Sequence, residues 1–94
     1  MTVTKENKVF LEGLIEYYIS EAQSYREMAQ EYSLKIDSVS DTTFGIIIGC
    51  IYSSFLQTYS NQKLTPTVQD VQEFTEIIMM KSSAIMDAIK GQNN

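Results

Sequence analysis

Residues 11–32 read LEGLIEYYISEAQSYREMAQEY, and the spacing of their apolar side chains decides the fold. The apolar positions alternate intervals of four and three residues and run one step past the quoted stretch: Leu11, Ile15, Tyr18, Ala22, Tyr25, Ala29, Tyr32 and Ile36. We call this set the Tyr/Ala stripe. Heptad spacing is typical of a helix with one apolar side, and large residues alternating with small ones let a neighbouring helix approach closely. The pattern predicts a first helix over about residues 4–34.

The row of tyrosines in this stripe has two interpretations. Tyrosine combines a large apolar ring with a polar hydroxyl, so a buried ring with its hydroxyl at the solvent edge is an ordinary way to pack a core. The alternative is a surface for a ligand or a partner protein. Core packing is the favoured interpretation.

The second helix is predicted over about residues 41–60, within 21 consecutive uncharged residues between Asp41 and Lys63. Apolar side chains occur nearly all round it, which favours a helix buried nearly all round. Gly45, Gly49 and Ser53 follow at intervals of four residues and form a strip of small side chains. We expect this strip to be the closest helix crossing, against the Tyr/Ala stripe of the same chain or of a second copy.

The third helix is predicted over about residues 66–90, with Thr65 as its N-cap and Pro66 at its first position. Gly91 is expected to end it, because glycine readily adopts the left-handed conformation of a helix C-terminus. Three methionines are expected to broaden its inner apolar stripe: Met79, Met80 and Met86. A second, less favoured interpretation of these methionines is an adaptable docking face.

The predicted fold is all-α: a single domain over residues 1–94, built as a three-helix up-down-up array with a short polar tail at 91–94. A helix of about 30 residues is about 45 Å long. A compact chain of this size has a diameter of only about 30 Å. The first helix would therefore overhang a monomer, and the second has more apolar surface than two neighbours cover. We expect a homodimer that completes a helical bundle.

The composition removes most catalytic chemistry. The chain has no histidine and one cysteine, Cys50, so it lacks Ser-His and Cys-His pairs and cannot build a zinc site. It cannot form an intrachain disulfide either, which fits a reducing, cytoplasmic location. We expect no enzyme activity, no catalytic residue and no cofactor. With 7 basic against 12 acidic residues and a net charge of −5, a nucleic-acid partner is also not expected.

Carboxylates are the only abundant reactive groups. Glu73 and Glu76 are weak candidates for an acidic site, since they could supply half of the paired acidic clusters that a divalent-metal enzyme of the helical-bundle type requires. No second acidic pair follows them along the chain. A solvated acidic face is the favoured interpretation of these residues.

The functional expectation is a small acidic helical protein that acts without catalysis, by binding protein. The first expected partner is a second copy of itself, followed by a basic protein or one with a hydrophobic groove. Two alternatives stay open: a carboxylate-dependent divalent-metal enzyme, and membrane association through the second helix. The strictly apolar or glycine run covers only residues 44–52, well short of the about 20 residues of a spanning helix, so no membrane partner is expected.

Overall fold

The computed structural model describes residues 3–91, and every regular element in this range is helical. The predicted all-α class is confirmed. The chain has four α-helices and one short 3-10 turn, rather than three helices: α1 (Lys5–Ser20), α2 (Ala22–Gln30), the turn Ser33–Lys35, α3 (Val39–Asn61) and α4 (Val68–Lys90). Apart from Gly91, the predicted polar tail lies outside the described residues.

The predicted continuous first helix is wrong, because the helix breaks at Glu21. This residue has φ −104° and ψ 12°, outside the helical region. The Ser20 hydroxyl donates to the Tyr17 carbonyl at 2.6 Å, and the Glu21 backbone N–H donates to the same carbonyl at 3.1 Å. A serine hydroxyl that bonds back to the preceding turn competes with the backbone ladder and bends helices.

The helix also ends earlier than its heptad spacing predicts. α2 stops at Gln30, and the following backbone bonds span three residues: Tyr32 N–H to Ala29 O at 3.0 Å, and Lys35 N–H to Tyr32 O at 2.8 Å. Ile36 then adopts an extended conformation with φ −131° and ψ 155°. The tighter turn rotates Tyr32 out of the stripe and exposes it.

Side-chain caps set the starts of α3 and α4, and the cap of α4 differs from the predicted one. The Ser38 hydroxyl accepts the Asp41 N–H at 3.0 Å, so α3 begins at Val39. α4 is capped by Thr67 instead of Thr65. Thr67 and Asp70 form a capping box, with the Asp70 N–H donating to Thr67 Oγ1 at 3.1 Å and the Thr67 N–H to Asp70 Oδ2 at 2.9 Å. This reciprocal pair satisfies two otherwise unpaired donors.

The predicted end of α4 is confirmed. Gly91 has φ +73° and ψ 27°, the left-handed conformation in which a side chain would be strained. Its N–H donates to the Ala88 carbonyl at 3.2 Å.

The core lies where α1, α2 and α4 pack against one side of α3. Phe55 on α3 contacts Phe74 on α4 with a ring-centroid distance of 4.9 Å, and Tyr52 stacks on the same ring at 5.1 Å. The remaining fully buried large side chains come from three helices: Leu11, Ile15, Ile47, Ile51, Ile85 and Ile89.

The molecule measures 40 × 29 × 19 Å along its principal axes. A helix with its side chains is about 10–12 Å across, so the short dimension holds about two helices. α3 therefore keeps one side in solvent. The expectation that the second helix is buried nearly all round is wrong, because its neighbours cover only one side.

Candidate functional site

The structure places most of the Tyr/Ala stripe inside the chain's own core. Four of its members are buried: Leu11, Ile15, Ala22 and Ala29. Tyr18 and Tyr25 are half-buried at the edge, and Tyr32 is exposed. The small residues of the stripe thus serve packing within the chain, and Tyr32 is the member left open to a partner.

Three tyrosines form a continuous row beside α3. The ring centroids of Tyr17 and Tyr18 lie 5.1 Å apart in an edge-on arrangement, and those of Tyr18 and Tyr25 lie 5.4 Å apart. Burial raises the pKa of Tyr18 to about 12, with smaller contributions from Tyr25 and Cys50. The Tyr18 hydroxyl therefore keeps its proton to a higher pH than an exposed tyrosine does.

The surface of α3 that points away from the core is the most unusual feature of the fold. Its central residues recur at helical spacing on one side: Gly45, Ile46, Gly49, Ser53 and Leu56. We call these five residues the α3 outer face. The two glycines and Ser53 are exposed, Ile46 is half-buried, and Leu56 is 36% exposed. Apolar and small side chains therefore face solvent on a helix that carries no charge between Asp41 and Lys63.

Within the chain, the predicted crossing at Gly45, Gly49 and Ser53 is wrong. Among residues 3–91, a Cβ atom built on either glycine meets no atom within 4 Å beyond its chain neighbours and the backbone of its own helix, so no other described helix approaches them. The Tyr/Ala stripe packs against the opposite side of α3, where larger side chains such as Ile47 and Ile51 fill the space. The part of the prediction that concerns a second copy stays a prediction.

The same helix is the one described segment that is long and apolar enough to cross a membrane. Val39–Asn61 spans 23 residues with a mean hydropathy of 1.4 over its best 18 residues, of which 22% are buried. Length and composition alone do not separate a spanning helix from a core helix of a soluble protein, since both pass this test.

The methionines on α4 do not all join the inner stripe. Met86 is half-buried and packs against the core, whereas Met79 and Met80 are 69% and 76% exposed. The prediction is wrong for these two because the inner side of α4 is already filled by Phe74, Ile78 and Ile85.

The two acidic candidates lie in an open groove between α1 and α4, with a volume of about 450 Å³. Glu73 is half-buried and accepts the backbone N–H of Val3 at 3.1 Å, while Glu76 is exposed. Lys8 lines the same groove. Within residues 3–91, no group of three or more acidic or cysteine side chains is placed to hold a metal ion.

Sequence reasoning missed a buried polar contact between α1 and α3. The side chain of Asn7 is 2% exposed and bonds reciprocally with the amide of Gln62. Beside it, burial, and secondarily the charge of Asp70, raise the pKa of Tyr59. Isolated amides in a helical pattern carry no signal of this pairing, because its partners lie 55 residues apart.

Comparison with known proteins adds no assignment: no protein-family model, curated protein or solved structure matches this chain.

Proposed function

We propose that this protein is a non-catalytic helical interaction module whose first partner is a second copy of itself, bound through the α3 outer face. The observation that carries the proposal is the open, uncharged side of α3. Exposed apolar surface rimmed by polar residues is typical of a binding surface. Gly45 and Gly49 leave room for another helix to approach closely.

The arrangement of the helices supports this proposal. Asn7 near the start of α1 lies beside Gln62 at the end of α3, and Gln23 of α2 lies beside the last turn of α4. These contacts agree with an up-down-up array in which α3 is the middle element. A middle helix with an open side can receive a helix from a second copy and so complete a larger bundle.

The single half-buried cysteine is compatible with a cytoplasmic location, which we propose for the protein.

Membrane association through α3 is the second candidate, favoured by the length and mean hydropathy of that helix. It uses the same surface, so both candidates predict that a charge placed on the α3 outer face abolishes binding. They differ in whether the partner is protein or lipid.

The experiment measures molar mass by light scattering over a hundredfold range of protein concentration. We expect the mass to rise from one chain towards two. A Gly49→Glu variant should remain monomeric, because a carboxylate without a partner charge would lose its solvent in an uncharged interface. Gly13→Glu is the matched control, since Gly13 is also a helical glycine with open space around it and lies on α1.

A monomer mass at every concentration would overturn self-association. Equal loss of the dimer in the Gly49→Glu and Gly13→Glu variants would show that net charge, and not the α3 outer face, controls assembly. Binding of the wild-type monomer to phosphatidylcholine vesicles would favour the membrane candidate.

A further inference from the structure

We propose that the groove between α3 and α4 binds a basic amphipathic segment of another protein, with a lysine or arginine side chain of that segment seated between Asp41 and Asp87. This groove is separate from the α3 outer face, so the proposal does not depend on self-association. It rests on an apolar floor, two acidic side chains at the rim and an exposed methionine beside them.

The floor of the groove is apolar. Phe44 of α3 and Met86 of α4 line it, and both are half-buried against the core. Uncharged Ser82 and Ser83 continue its wall on α4, and its volume is about 400 Å³. We call it the α3–α4 groove. The methylene stem of a lysine or arginine packs on apolar surface while the charged end stays at the rim, so this composition suits a long basic side chain.

The charged side chains that line the α3–α4 groove are both acidic. Asp41 lies in the first turn of α3 and Asp87 near the end of α4, and both are exposed. Among residues 3–91, no cationic side chain lies within ion-pair distance of either carboxylate. The groove therefore presents two carboxylates that attract a basic partner and repel an acidic one.

The position of Asp87 is unfavourable for the chain by itself. The C-terminus of a helix carries partial negative charge, so a carboxylate in the last turn is destabilising and a cation there is stabilising. Lys90 and Arg26 bring two cations to this end of α4, but within the described part of the chain neither forms an ion pair with Asp87. A cation bound between Asp41 and Asp87 would interact favourably with both carboxylates and with the negative end of α4.

An exposed methionine extends the apolar surface along α4. Met79 is 69% exposed and precedes Ser83 by four residues and Met86 by seven, which places all three on one side of the helix. Methionine is flexible and adapts to different apolar partners. A basic amphipathic helix matches this arrangement, because its apolar side fits the methionines and its basic side fits the two carboxylates.

Peptide titration tests the chemistry of the partner. The probe is a synthetic helical peptide of alanine, leucine and lysine, with leucines on one side and lysines on the other. Calorimetry measures its Kd for the whole chain, and the same peptide with glutamate in place of each lysine is the control. We expect one lysine peptide to bind per chain, more weakly as salt screens the carboxylates, and the glutamate peptide not to bind.

Charge variants of the protein test the site. Asp41→Asn and Asp87→Asn should each raise the Kd of the lysine peptide by about two- to fivefold, the size expected for an exposed ion pair. Glu16→Gln is the matched control, because it changes the net charge by the same amount at an exposed position on α1. It should leave the Kd unchanged.

Methionine variants test the apolar contact. Met79→Ser should raise the Kd of the lysine peptide by about tenfold, since it removes a large apolar side chain from the contact. Met80→Ser is the matched control: Met80 is 76% exposed but lines the groove between α1 and α4. It should leave the Kd unchanged. Thermal unfolding of both variants checks that the fold is intact.

Several results would overturn this proposal. No binding of the lysine peptide would do so, and so would equal binding of the lysine and glutamate peptides. Equal weakening by Asp87→Asn and Glu16→Gln would show that net charge alone attracts the peptide. Loss of self-association in Met79→Ser but not in Met80→Ser, measured by light scattering, would assign the α3–α4 groove to a second copy of the chain instead.

Discussion

The side-chain amides of Asn7 and Gln62 bond to each other in both directions across α1 and the end of α3. Asn7 Nδ2 donates to Gln62 Oε1 at 3.2 Å, and Gln62 Nε2 donates to Asn7 Oδ1 at 2.9 Å. Asn7 is buried, so its amide has lost solvent and is satisfied by Gln62 and by the Tyr59 hydroxyl. The pair fixes how far α1 slides along α3, because a shift of either helix leaves a buried polar group unpaired.

We predict that Gln62→Ala lowers the free energy of unfolding by about 1–3 kcal/mol, since it removes two hydrogen bonds from the buried amide of Asn7 and leaves it only the contact with the Tyr59 hydroxyl. Gln57→Ala is the matched control, because Gln57 donates to Asn61 at 3.0 Å on the exposed surface. Urea unfolding of both variants provides the measurement. Equal losses would show that burial adds nothing to the Asn7–Gln62 pair.

The last carbonyls of α4 depend on donors from α2. Gln23 Nε2 donates to Ala88 O at 2.7 Å, and Arg26 donates to Ile89 O at 3.0 Å. Helix C-termini lack intrahelical partners for these carbonyls. We predict that Arg26→Ala costs about 0.5–1.5 kcal/mol, because the Ile89 carbonyl loses one donor but keeps Gln23 Nε2 at 3.1 Å.

Arg26→Ala should destabilise the last turn of α4 locally, in addition to lowering the free energy of unfolding of the whole chain. Amide hydrogen exchange should accelerate in the last turn of α4 and stay unchanged at the Thr67 capping box. Gln30 is an exposed residue on α2, the helix that carries Arg26. Gln30→Ala should therefore leave amide hydrogen exchange unchanged in both regions of α4. Uniform acceleration along α4 would contradict a specific role for Arg26 at the helix end.

Alkaline pH should weaken the fold through Tyr18. Burial raises the pKa of Tyr18 from its usual 10.0 to about 12, so the folded chain holds this proton at pH values where the unfolded chain releases it. The contribution to stability is therefore fully present below about pH 10 and is lost as the pH rises through about 12.

A Tyr18→Phe variant should lose less unfolding free energy than the wild type between pH 10 and 12, measured by urea unfolding at each pH. Tyr17→Phe, at the exposed neighbouring ring, is the control. Parallel pH curves for wild type and Tyr18→Phe would show that the Tyr18 hydroxyl does not carry this dependence.

Periodicity predicted the helical class and most of the core, because the stripe from Leu11 to Ala29 records directly which side of a helix is buried. It could not predict the break at Glu21. That break depends on a single hydrogen bond, which the Ser20 hydroxyl donates to the Tyr17 carbonyl instead of to water. The spacing also could not distinguish Thr65 from Thr67 as the N-cap of α4, because both precede an acidic helix. Only the hydrogen bond between Thr67 and Asp70 identifies Thr67 as the cap.

The candidate site was predicted in part. The uncharged stretch between Asp41 and Lys63 and the spacing of Gly45, Gly49 and Ser53 identified α3 as the helix with excess apolar surface. Sequence could not show which side of α3 the chain itself would use. Large side chains gain more from burial than glycine does, so the core formed on the side of Ile47 and Ile51 and left the small residues in solvent.

Because the α3 outer face is open, we expect Gly49→Leu to stabilise the fold. At a helix crossing inside the chain the same substitution would destabilise it. An interior crossing would be overpacked by leucine and lose about 1–3 kcal/mol. In the part of the chain that the structure describes, a Cβ on Gly49 meets no atom within 4 Å beyond its chain neighbours and the backbone of α3. We therefore predict that Gly49→Leu raises the free energy of unfolding by up to about 1 kcal/mol, because leucine is a far better helix former than glycine.

This stabilisation is to be measured by thermal unfolding at the lowest protein concentration, where the proposed dimer would be dissociated. Gly13→Leu should give a gain of the same size, because Gly13 also lies in a helix with open space around it. At high concentration the two variants should diverge. Gly49→Leu should lose the extra stability that the proposed dimer would add, and Gly13→Leu should keep it. A Gly49→Leu variant that melts below the wild type even in dilute solution would show that another segment of the same chain covers Gly49.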